Sequence, residues 1–486
     1  MRAAVILAAA VAAFNFAAMP GQFLDGDPAA WREEARSLLL AGELAVPGES
    51  AGRFGEAGQY FVRNQATGRW YSKYGVMNSL MALPPLWAQR LAGGDVSERL
   101  TYPSLFWFNL WNIALSAVLA ALLYGVAGLY TRRIGVRVLF VAATLYCSAL
   151  WFYQRAQSSE LYQALFFTAL FLCVAHFLRA RAWAWLGGAW LFALALVLTR
   201  VSYGLLLPLV ALLGWYVWRR SWQEPRPARA TLALALLAPP LLALAVLAWV
   251  NQVKFGAPWV TGYHQWRPET VAPTGRLADG LWGFLFSPRF SIFAHFPLLL
   301  LALFGAREFW RRHRLEAIVL LAVFVPFLLF ISKLPVWAGE FSYGPRYLLF
   351  VLPVLSAPAI VFADSVIERW PAWRARALAA AAIACLAWSA WLQVQVNRLG
   401  FWIYYEARSA LELAYSDAAA EFFRDRHVGV VNTDLLRYRP DLTKLPYFPE
   451  FQRRASTELA EKYVTGLGRM IDRGNWYWSL PREARS

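Results

Sequence analysis

The hydrophobic positions of this chain form long uninterrupted runs and do not alternate with polar positions. A helix needs about 20 mostly apolar residues to cross the hydrocarbon core of a membrane, with a range of about 17–25. Runs near that length occur in eleven places: about 3–19, 104–130, 136–153, 161–178, 183–199, 203–218, 231–250, 291–309, 316–332, 346–363 and 376–392. Without a period-two pattern, strands are not favoured. The pattern predicts an all-α polytopic membrane protein with about eleven transmembrane helices.

Composition supports a membrane protein and argues against a nucleic-acid partner. Of the 486 residues, 59% are hydrophobic and 16% are charged, whereas about a quarter of the residues in a soluble domain are charged. The net charge of +17 comes largely from arginines in short loops between apolar runs, where membrane topology explains them. The three cysteines lie inside apolar runs, and we expect buried thiols without disulfide or metal-ligand spacing.

Basic residues occupy every second short loop, which predicts the orientation of the chain. Five clusters follow this pattern: Arg132 and Arg133; Arg179 and Arg181; Arg219, Arg220, Arg226 and Arg229; Arg311, Arg312 and Arg314; and Arg369, Arg374 and Arg376. Cytoplasmic loops are enriched in Lys and Arg, so the N-terminus is predicted to be cytoplasmic. Segments 20–103, 251–290 and 394–486 then lie outside.

The predicted organisation has two parts. Residues 1–393 are predicted to form a transmembrane domain whose first extracytoplasmic loop is 20–103. Residues 394–486 are predicted to form a small extracytoplasmic cap of short helices without a recognisable motif. The apolar run near the N-terminus fits either a signal peptide or a retained helix. We favour the retained helix because the loop after it needs a membrane anchor close by.

The first outer loop is predicted to carry helices that lie along the membrane. Segment 28–41 has apolar residues at helical spacing with Arg32, Glu33, Glu34 and Arg36 between them, as expected for an amphipathic helix on the membrane face. Segment 77–91 is a second candidate, which its Pro-Pro pair would kink or break. The aromatic and basic stretch between them, 59–74, is expected in the headgroup layer.

The polar groups that suit chemistry all fall on the predicted outer face: Asp25, Asp27, Lys73, Glu160, Arg200, Arg289 and Arg346. If the protein is an enzyme, its site has no access to ATP or nucleotide-sugars, and a donor there would most simply carry a lipid handle. Cations at headgroup depth suit a lipid phosphate, and a carboxylate nearby can take a proton from an acceptor hydroxyl.

Each of these residues also has a structural interpretation. Asp25 and Asp27 suit a turn and a helix N-cap, and Lys73 suits an interfacial snorkelling lysine. The three arginines suit interface anchors, and Glu160 suits the start of a helix. Opposite charges at one predicted depth and on one face favour a common site over seven unrelated roles.

Seven stretches resemble a known family, in the right order, over about residues 20–355: DGDPAAWREEARSLLLAGELAVP, GRWYSKYGVMNSLMALP, WFYQRAQSSELYQALFF, LFALALVLTRVSYGLLLP, NQVKFGAPWVTGY, GFLFSPRFSIFAHFPLLLL and WAGEFSYGPRYLLFVLP. They are similar to segments of the GT-C membrane glycosyltransferases, which include protein O-mannosyltransferases and the lipid A aminoarabinose transferase. The resemblance does not cover the C-terminal segment.

The resemblance implies roles for individual residues. Asp27 matches the acid taken as the base on the acceptor, with Asp25 as the alternative. Lys73 matches the lysine that meets the lipid phosphate, and Arg346 matches the arginine near the leaving phosphate. Further substrate-binding candidates are Tyr74, Glu160, Arg200, Arg289 and Tyr343.

The chain departs from the family at two points. It has Pro28 after Asp27, where many members have a second acid. It has Gly75 and Val76 after Lys73-Tyr74, where many have two prolines. Both departures affect the details of phosphate and metal binding.

These observations predict an inverting glycosyltransferase of the bacterial inner membrane. It would move a sugar from a polyprenyl-phosphate donor to a hydroxyl acceptor of the cell envelope, which is a glycan, a lipid or a protein. No cofactor is certain, and a divalent cation on Asp25, Asp27 and Glu160 stays open. The alternative is a transporter or flippase of lipid-linked sugars, which would favour polar groups near the midplane. A purely structural subunit leaves the aromatic first loop unexplained.

Overall fold

The computed structural model describes residues 2–20, 26–52, 60–96, 102–155, 158–221, 229–287, 290–339 and 343–399. Within these ranges the chain is almost entirely helical, with one two-stranded hairpin. The predicted C-terminal cap lies outside the described residues from position 400 onward.

The first quarter of the described chain contains the hairpin and the helices around it: α1 (Arg2–Ala17), α2 (Gly26–Ala41), α3 (Gly48–Gly52), β1 (Phe61–Arg63), β2 (Trp70–Ser72) and α4 (Val76–Leu91). The strands are antiparallel, and Val62 pairs with Tyr71. Asn64 fixes the turn because its side chain accepts hydrogen bonds from the backbone N–H groups of Ala66 and Thr67, the local bonding that favours Asn in turns.

The remaining helices follow in chain order: α5 (Tyr102–Gly128), α6 (Ile134–Tyr146), α7 (Leu150–Arg155), α8 (Ser159–Ala180), α9 (Trp183–Thr199), α10 (Leu206–Ser221), α11 (Arg229–Phe255), α12 (Gly262–Trp266), α13 (Leu277–Phe286), α14 (Ile292–His295), α15 (Leu298–Arg312), α16 (Arg314–Ser332), α17 (Leu352–Leu355), α18 (Pro358–Glu368) and α19 (Trp373–Leu399). Short 3-10 turns lie at Val201–Leu205, Pro268–Thr270 and Arg346–Leu348.

Five helices of the described part are long and apolar enough to cross a membrane: Ser104–Gly128, Ser159–Ala180, Ala233–Phe255, Arg314–Ser332 and Trp373–Val394. Shorter apolar helices add to them, so the chain is an integral membrane protein with a helical transmembrane region. All eleven predicted runs contain helix. Three of them are interrupted, 136–153 between α6 and α7, 291–309 between α14 and α15, and 346–363 around α17. The count of eleven spans stays a prediction.

Helix α8 forms the centre of the helical bundle. Among the 18 most apolar consecutive residues of each helix, 83% are buried in α8, 17% in α11 and 11% in α19. It packs between α5 and α9, whereas the apolar side chains of α11 and α19 face outward, as lipid-facing helices do. A polar residue at the start of α8 is therefore held by the most enclosed of these five long helices.

The first outer loop differs from its predicted form in two ways. The side chains of Arg32, Glu33 and Glu34 on α2 are buried, because α2 packs against α4 instead of exposing a charged face. Within α2, Glu33 pairs with Arg32 and Arg36. Helix α4 also continues through its Pro-Pro pair. Packing against α2, α5 and α9 offsets the hydrogen bonds that the prolines remove.

Candidate active site

Arg346 joins two carboxylates from distant parts of the chain. Its Nε lies 2.5 Å from Glu160 Oε1, and its Nη2 lies 3.1 Å from Asp27 Oδ2. The exposed fractions of the Arg346, Asp27 and Glu160 side chains are 16%, 17% and 2%. Charged groups so enclosed need opposite charges close by, and this triad supplies them for one another.

Local sequence explains how the triad is positioned. Asp27 lies in the first turn of α2 and Glu160 in the first turn of α8, where the helix dipole favours negative charge. Arg346 opens a 3-10 turn two residues after Gly344, which has a φ of +64° and whose added Cβ would lie 3.0 Å from the His295 ring. Only glycine adopts that conformation readily.

Tyr74 adds a third contact to the triad. Its hydroxyl donates a hydrogen bond to Asp27 Oδ1, so the two oxygens of this carboxylate face different partners. Tyr74 lies between β2 and α4. The residue after it is Gly75, whose added Cβ would lie 2.3 Å from the carbonyl oxygens of Leu198 and Thr199. The chain therefore passes tightly against the end of α9 at this point.

Lys73 lies beside Tyr74 in a cage of aromatic rings. Its Nζ is 3.2 Å from the centroid of the Trp266 ring and between 5.2 and 5.6 Å from those of Tyr60, Tyr74 and Tyr263. Only 6% of the residue is exposed. Aromatic faces attract ammonium groups, so the cage holds Lys73 as a cation next to the triad.

Arg200 and Tyr263 close the other side of the site. Arg200 follows the last residue of α9, and its Cζ lies 4.3 Å from the centroid of Tyr347, the neighbour of Arg346. Tyr263, on α12, interacts electrostatically with Arg200, Asp27 and Arg346. Burial raises the pKa of the Tyr263 phenol, and Arg200 acts in the opposite direction. The phenol is therefore neutral at physiological pH.

The structure brings together six of the nine residues singled out in the sequence: Asp27, Lys73, Tyr74, Glu160, Arg200 and Arg346. Tyr343 lies close by in the chain, and its hydroxyl donates to Gln393 Oε1 at 3.2 Å. Its carbonyl accepts from the Tyr153 hydroxyl at 2.8 Å, so Tyr343 anchors the segment that carries Arg346. Asp25 and Arg289 lie outside the described residues.

Sequence reasoning missed a buried ion pair behind the site. Lys254 Nζ lies 2.8 Å from Glu34 Oε1, and both side chains are 0% exposed. The same ammonium donates to the backbone carbonyl of Tyr74 at 2.9 Å, and Glu34 accepts from the Ser79 hydroxyl at 2.5 Å. The sequence signal for this pair was Lys254 in the NQVKFG stretch, just after an apolar run. Burying a charged lysine there costs free energy unless an acidic partner is close by.

The described side chains offer little for a divalent cation. Both oxygens of Asp27 accept hydrogen bonds, from Tyr74 and Arg346. Glu160 Oε2 is buried with no hydrogen-bond partner among the described residues, so it is the one oxygen of these two carboxylates that could bind a cation. Ca²⁺ and Mg²⁺ need about six or more ligands. No group of three or more His, Cys, Asp or Glu side chains suited to a metal occurs in the described ranges. The divalent cation stays a prediction.

The described helices define an integral membrane protein whose fold is similar to that of a solved GT-C glycosyltransferase, as the sequence motifs predicted. In particular, the chain is similar to ArnT from Cupriavidus metallidurans bound to undecaprenyl phosphate, with a TM-score of 0.52 and 14% identity over 97% of this chain and 77% of that chain. At this identity the likeness shows the fold alone.

A second solved structure scores lower. It is the archaeal oligosaccharyltransferase AglB from Archaeoglobus fulgidus in complex with an inhibitory peptide and a dolichol-phosphate, with a TM-score of 0.47 and 11% identity over 87% of this chain and 58% of that chain. No protein-family model and no curated protein sequence matches the chain.

Proposed function

We propose that this protein is an inverting glycosyltransferase that uses a polyprenyl-phosphate sugar. The observation that carries the proposal is the contact of Asp27 with Arg346, next to Lys73 and Arg200. A base for a hydroxyl acceptor and cations for a phosphate leaving group are both needed for this reaction. They occur side by side, near the start of α8 and the end of α9.

The reaction would proceed by a single displacement. Asp27 takes the proton of the acceptor hydroxyl while the hydroxyl oxygen attacks the anomeric carbon of the sugar. The bond between that carbon and the phosphate oxygen breaks, and its electron pair stays on the departing polyprenyl phosphate. Attack from the face opposite the leaving group inverts the anomeric centre. Lys73, Arg200 and Arg346 stabilise the negative charge that develops on the phosphate, and Glu160 holds Arg346 in place.

The fold supports a lipid-linked donor. The ArnT structure to which the chain is similar is bound to undecaprenyl phosphate, and a phosphate of that kind suits the cations described above. The sugar and the acceptor are not specified by any contact among the described residues, so the acceptor class stays as a glycan, a lipid or a protein of the cell envelope.

The proposed topology follows the basic loops. The N-terminus is cytoplasmic and eleven helices span a bacterial inner membrane. The site and the C-terminal segment, 394–486, then lie on the extracytoplasmic face, with residues 1–393 as the catalytic domain. The five arginine clusters in alternate short loops support this orientation.

The experiment that tests the proposal is transfer in proteoliposomes from a panel of labelled undecaprenyl-phosphate sugars, with envelope extract as the acceptor source. We expect the wild type to transfer label from one donor, and Asp27→Asn to lose about 100-fold or more in rate, as expected for loss of a general base. The control is Glu43→Gln in the same loop, because that carboxylate is 47% exposed and pairs with Arg69.

Three outcomes decide the matter. Loss of transfer in Asp27→Asn alone supports the proposed base. Equal activity of Asp27→Asn and wild type would show that Asp27 only caps α2. No transfer from any donor, together with movement of a lipid-linked sugar between leaflets, would favour the transporter alternative.

A further inference from the structure

Residues 251–266, here called the clamp segment, contact both Lys73 and Tyr74. The segment runs from the end of α11 through α12 and contains the NQVKFGAPWVTGY stretch. The proposed reaction assigns no role to the segment itself. Its contacts fall at two separate points, one on the backbone of Tyr74 and one on Lys73.

The first point is Lys254. Its ammonium donates to the carbonyl oxygen of Tyr74 at 2.9 Å and is held by the fully buried Glu34. Tyr74 in turn donates its hydroxyl hydrogen bond to Asp27. Because a buried ammonium has no water to replace a lost partner, Lys254 fixes the place from which the Tyr74 side chain reaches Asp27.

The second point is α12. Its first residue, Gly262, lies so close to Lys73 that an added Cβ would be 2.3 Å from the Lys73 carbonyl oxygen. Its last residue, Trp266, lies under the Lys73 ammonium at 3.2 Å from Nζ to the ring centroid. The backbone and the charged end of Lys73 are therefore both set by this five-residue helix.

Internal hydrogen bonds keep the clamp segment in one shape. The Gln265 side chain donates to the Phe255 carbonyl at 2.8 Å, and the Asn251 side chain donates to the Pro258 carbonyl at 3.1 Å. The hairpin is tied to it as well, because Asn64 Nδ2 donates to the Val253 carbonyl at 3.1 Å. Side chains whose surroundings are locked in this way hold site geometry more precisely than those on a loose loop.

We propose that the clamp segment positions the two halves of the site through separable residues: Lys254 positions Tyr74 and, through it, Asp27, and Trp266 positions Lys73. The inference rests on the proposed function, since it assigns the first half to the acceptor and the second to the donor phosphate. Lys254 and Trp266 are positioning residues, because they act through other side chains.

The test separates kcat from the KM for the donor in the full-length protein. Lys254→Met is expected to lower kcat about 10- to 100-fold, the scale of a small misplacement of reacting groups, and to change the donor KM by less than about twofold. Trp266→Leu is expected to raise the donor KM roughly 3- to 30-fold, the scale of one cation–π contact, and to leave kcat within about twofold. Trp266→Phe retains a ring and should recover much of the loss.

A second variant and an ion pair far from the site serve as controls for folding. Lys254→Met leaves Glu34 buried without its cation, so the double variant E34Q/K254M removes both charges and is expected to fold and still lose kcat. The control is R179M/E316Q, because Arg179 and Glu316 form an ion pair at 3.0 Å. Arg179 lies 19 residues beyond Glu160 on α8, which is about 28 Å at 1.5 Å per residue. Its kcat and KM should match the wild type.

The outcomes distinguish this inference from the proposed function. A folded E34Q/K254M with wild-type kcat, or a folded Trp266→Leu with wild-type donor KM, overturns the corresponding half of the clamp. If the variants at both positions lowered kcat and raised the donor KM to the same extent, the segment would only stabilise the fold. A wild type that transfers no sugar refutes the proposed function itself. In that case the affinity for undecaprenyl phosphate is measured in place of the KM. An unchanged affinity in Trp266→Leu then overturns the proposal that Trp266 positions Lys73.

Discussion

The hydroxyl of Tyr74 donates a hydrogen bond to the carboxylate of Asp27, although the two residues are 47 positions apart in the chain. The bond joins the end of the hairpin to the first turn of α2. Arg346 binds the other oxygen of the same carboxylate. Asp27 is thus oriented by two donors from different parts of the chain, which fixes the direction from which an acceptor can approach it.

Removing the hydrogen bond from Tyr74 to Asp27 should slow the reaction without weakening the binding of the lipid-linked sugar. Hydrogen bonds to charged groups contribute about 1.5–3 kcal/mol, so Tyr74→Phe is expected to lower kcat by about 10- to 100-fold, with the donor KM nearly unchanged. Steady-state transfer rates measure both quantities. Tyr71→Phe is the control, because this tyrosine is equally buried in β2 and no contact of it with the triad is seen among the described residues. Equal kcat in wild type and Tyr74→Phe would contradict the role of Tyr74.

Substituting Arg346 should affect stability as well as activity. Removing one partner of a buried ion pair costs about 3–5 kcal/mol, and Arg346→Met would leave the nearly inaccessible Glu160 without its cation. We expect a lower thermal unfolding temperature in detergent and no transfer. Arg346→Lys should recover part of the stability but little activity, because one ammonium cannot bridge two carboxylates as a guanidinium does. Full activity in Arg346→Lys would argue against bidentate bridging.

The close approach at Gly75 predicts a steric effect. Gly75→Ala would place a Cβ 2.3 Å from two backbone carbonyl oxygens at the end of α9, and overpacking of this kind costs about 1–3 kcal/mol. Both thermal stability and transfer should fall, because Lys73 and Tyr74 move with the backbone. Gly187→Ala is the matched control, since nothing lies within 4 Å of its added Cβ and Ala is favoured in helices. Its stability should equal or exceed that of the wild type.

Lys73 should act mainly on the donor. Neutralising a cation that contacts a phosphate removes a charge-assisted hydrogen bond, which contributes about 1.5–3 kcal/mol to binding. Lys73→Gln is therefore expected to raise the donor KM by about tenfold or more. Titration with undecaprenyl phosphate alone should show the same loss of affinity. The exposed Lys333 at the end of α16 provides the control variant Lys333→Gln. Unchanged affinity in Lys73→Gln would place the phosphate elsewhere.

Several features of the candidate site could be predicted because they depend on local sequence. Asp27 and Glu160 lie at helix starts, as their neighbours indicate, and Arg346 follows a Gly-Pro turn. Glu34 and Lys254 could not be paired in advance. They are 220 positions apart, and the charges of α2 suited a solvent-facing helix as well as a buried one. The hairpin at β1 and β2 was also missed, because its three-residue strands are too short to show a period.

The sequence by itself determined that the chain is a helical membrane protein, because long apolar runs depend only on neighbouring residues. The tertiary structure decided which charges meet. It bridges Asp27 and Glu160 through Arg346, puts Lys73 on the face of Trp266 and buries Lys254 against Glu34. These contacts arise from the packing of α2, α4, α8, α11 and α12, and a buried charge selects its partner by distance in space, which the spacing of residues along the chain does not encode.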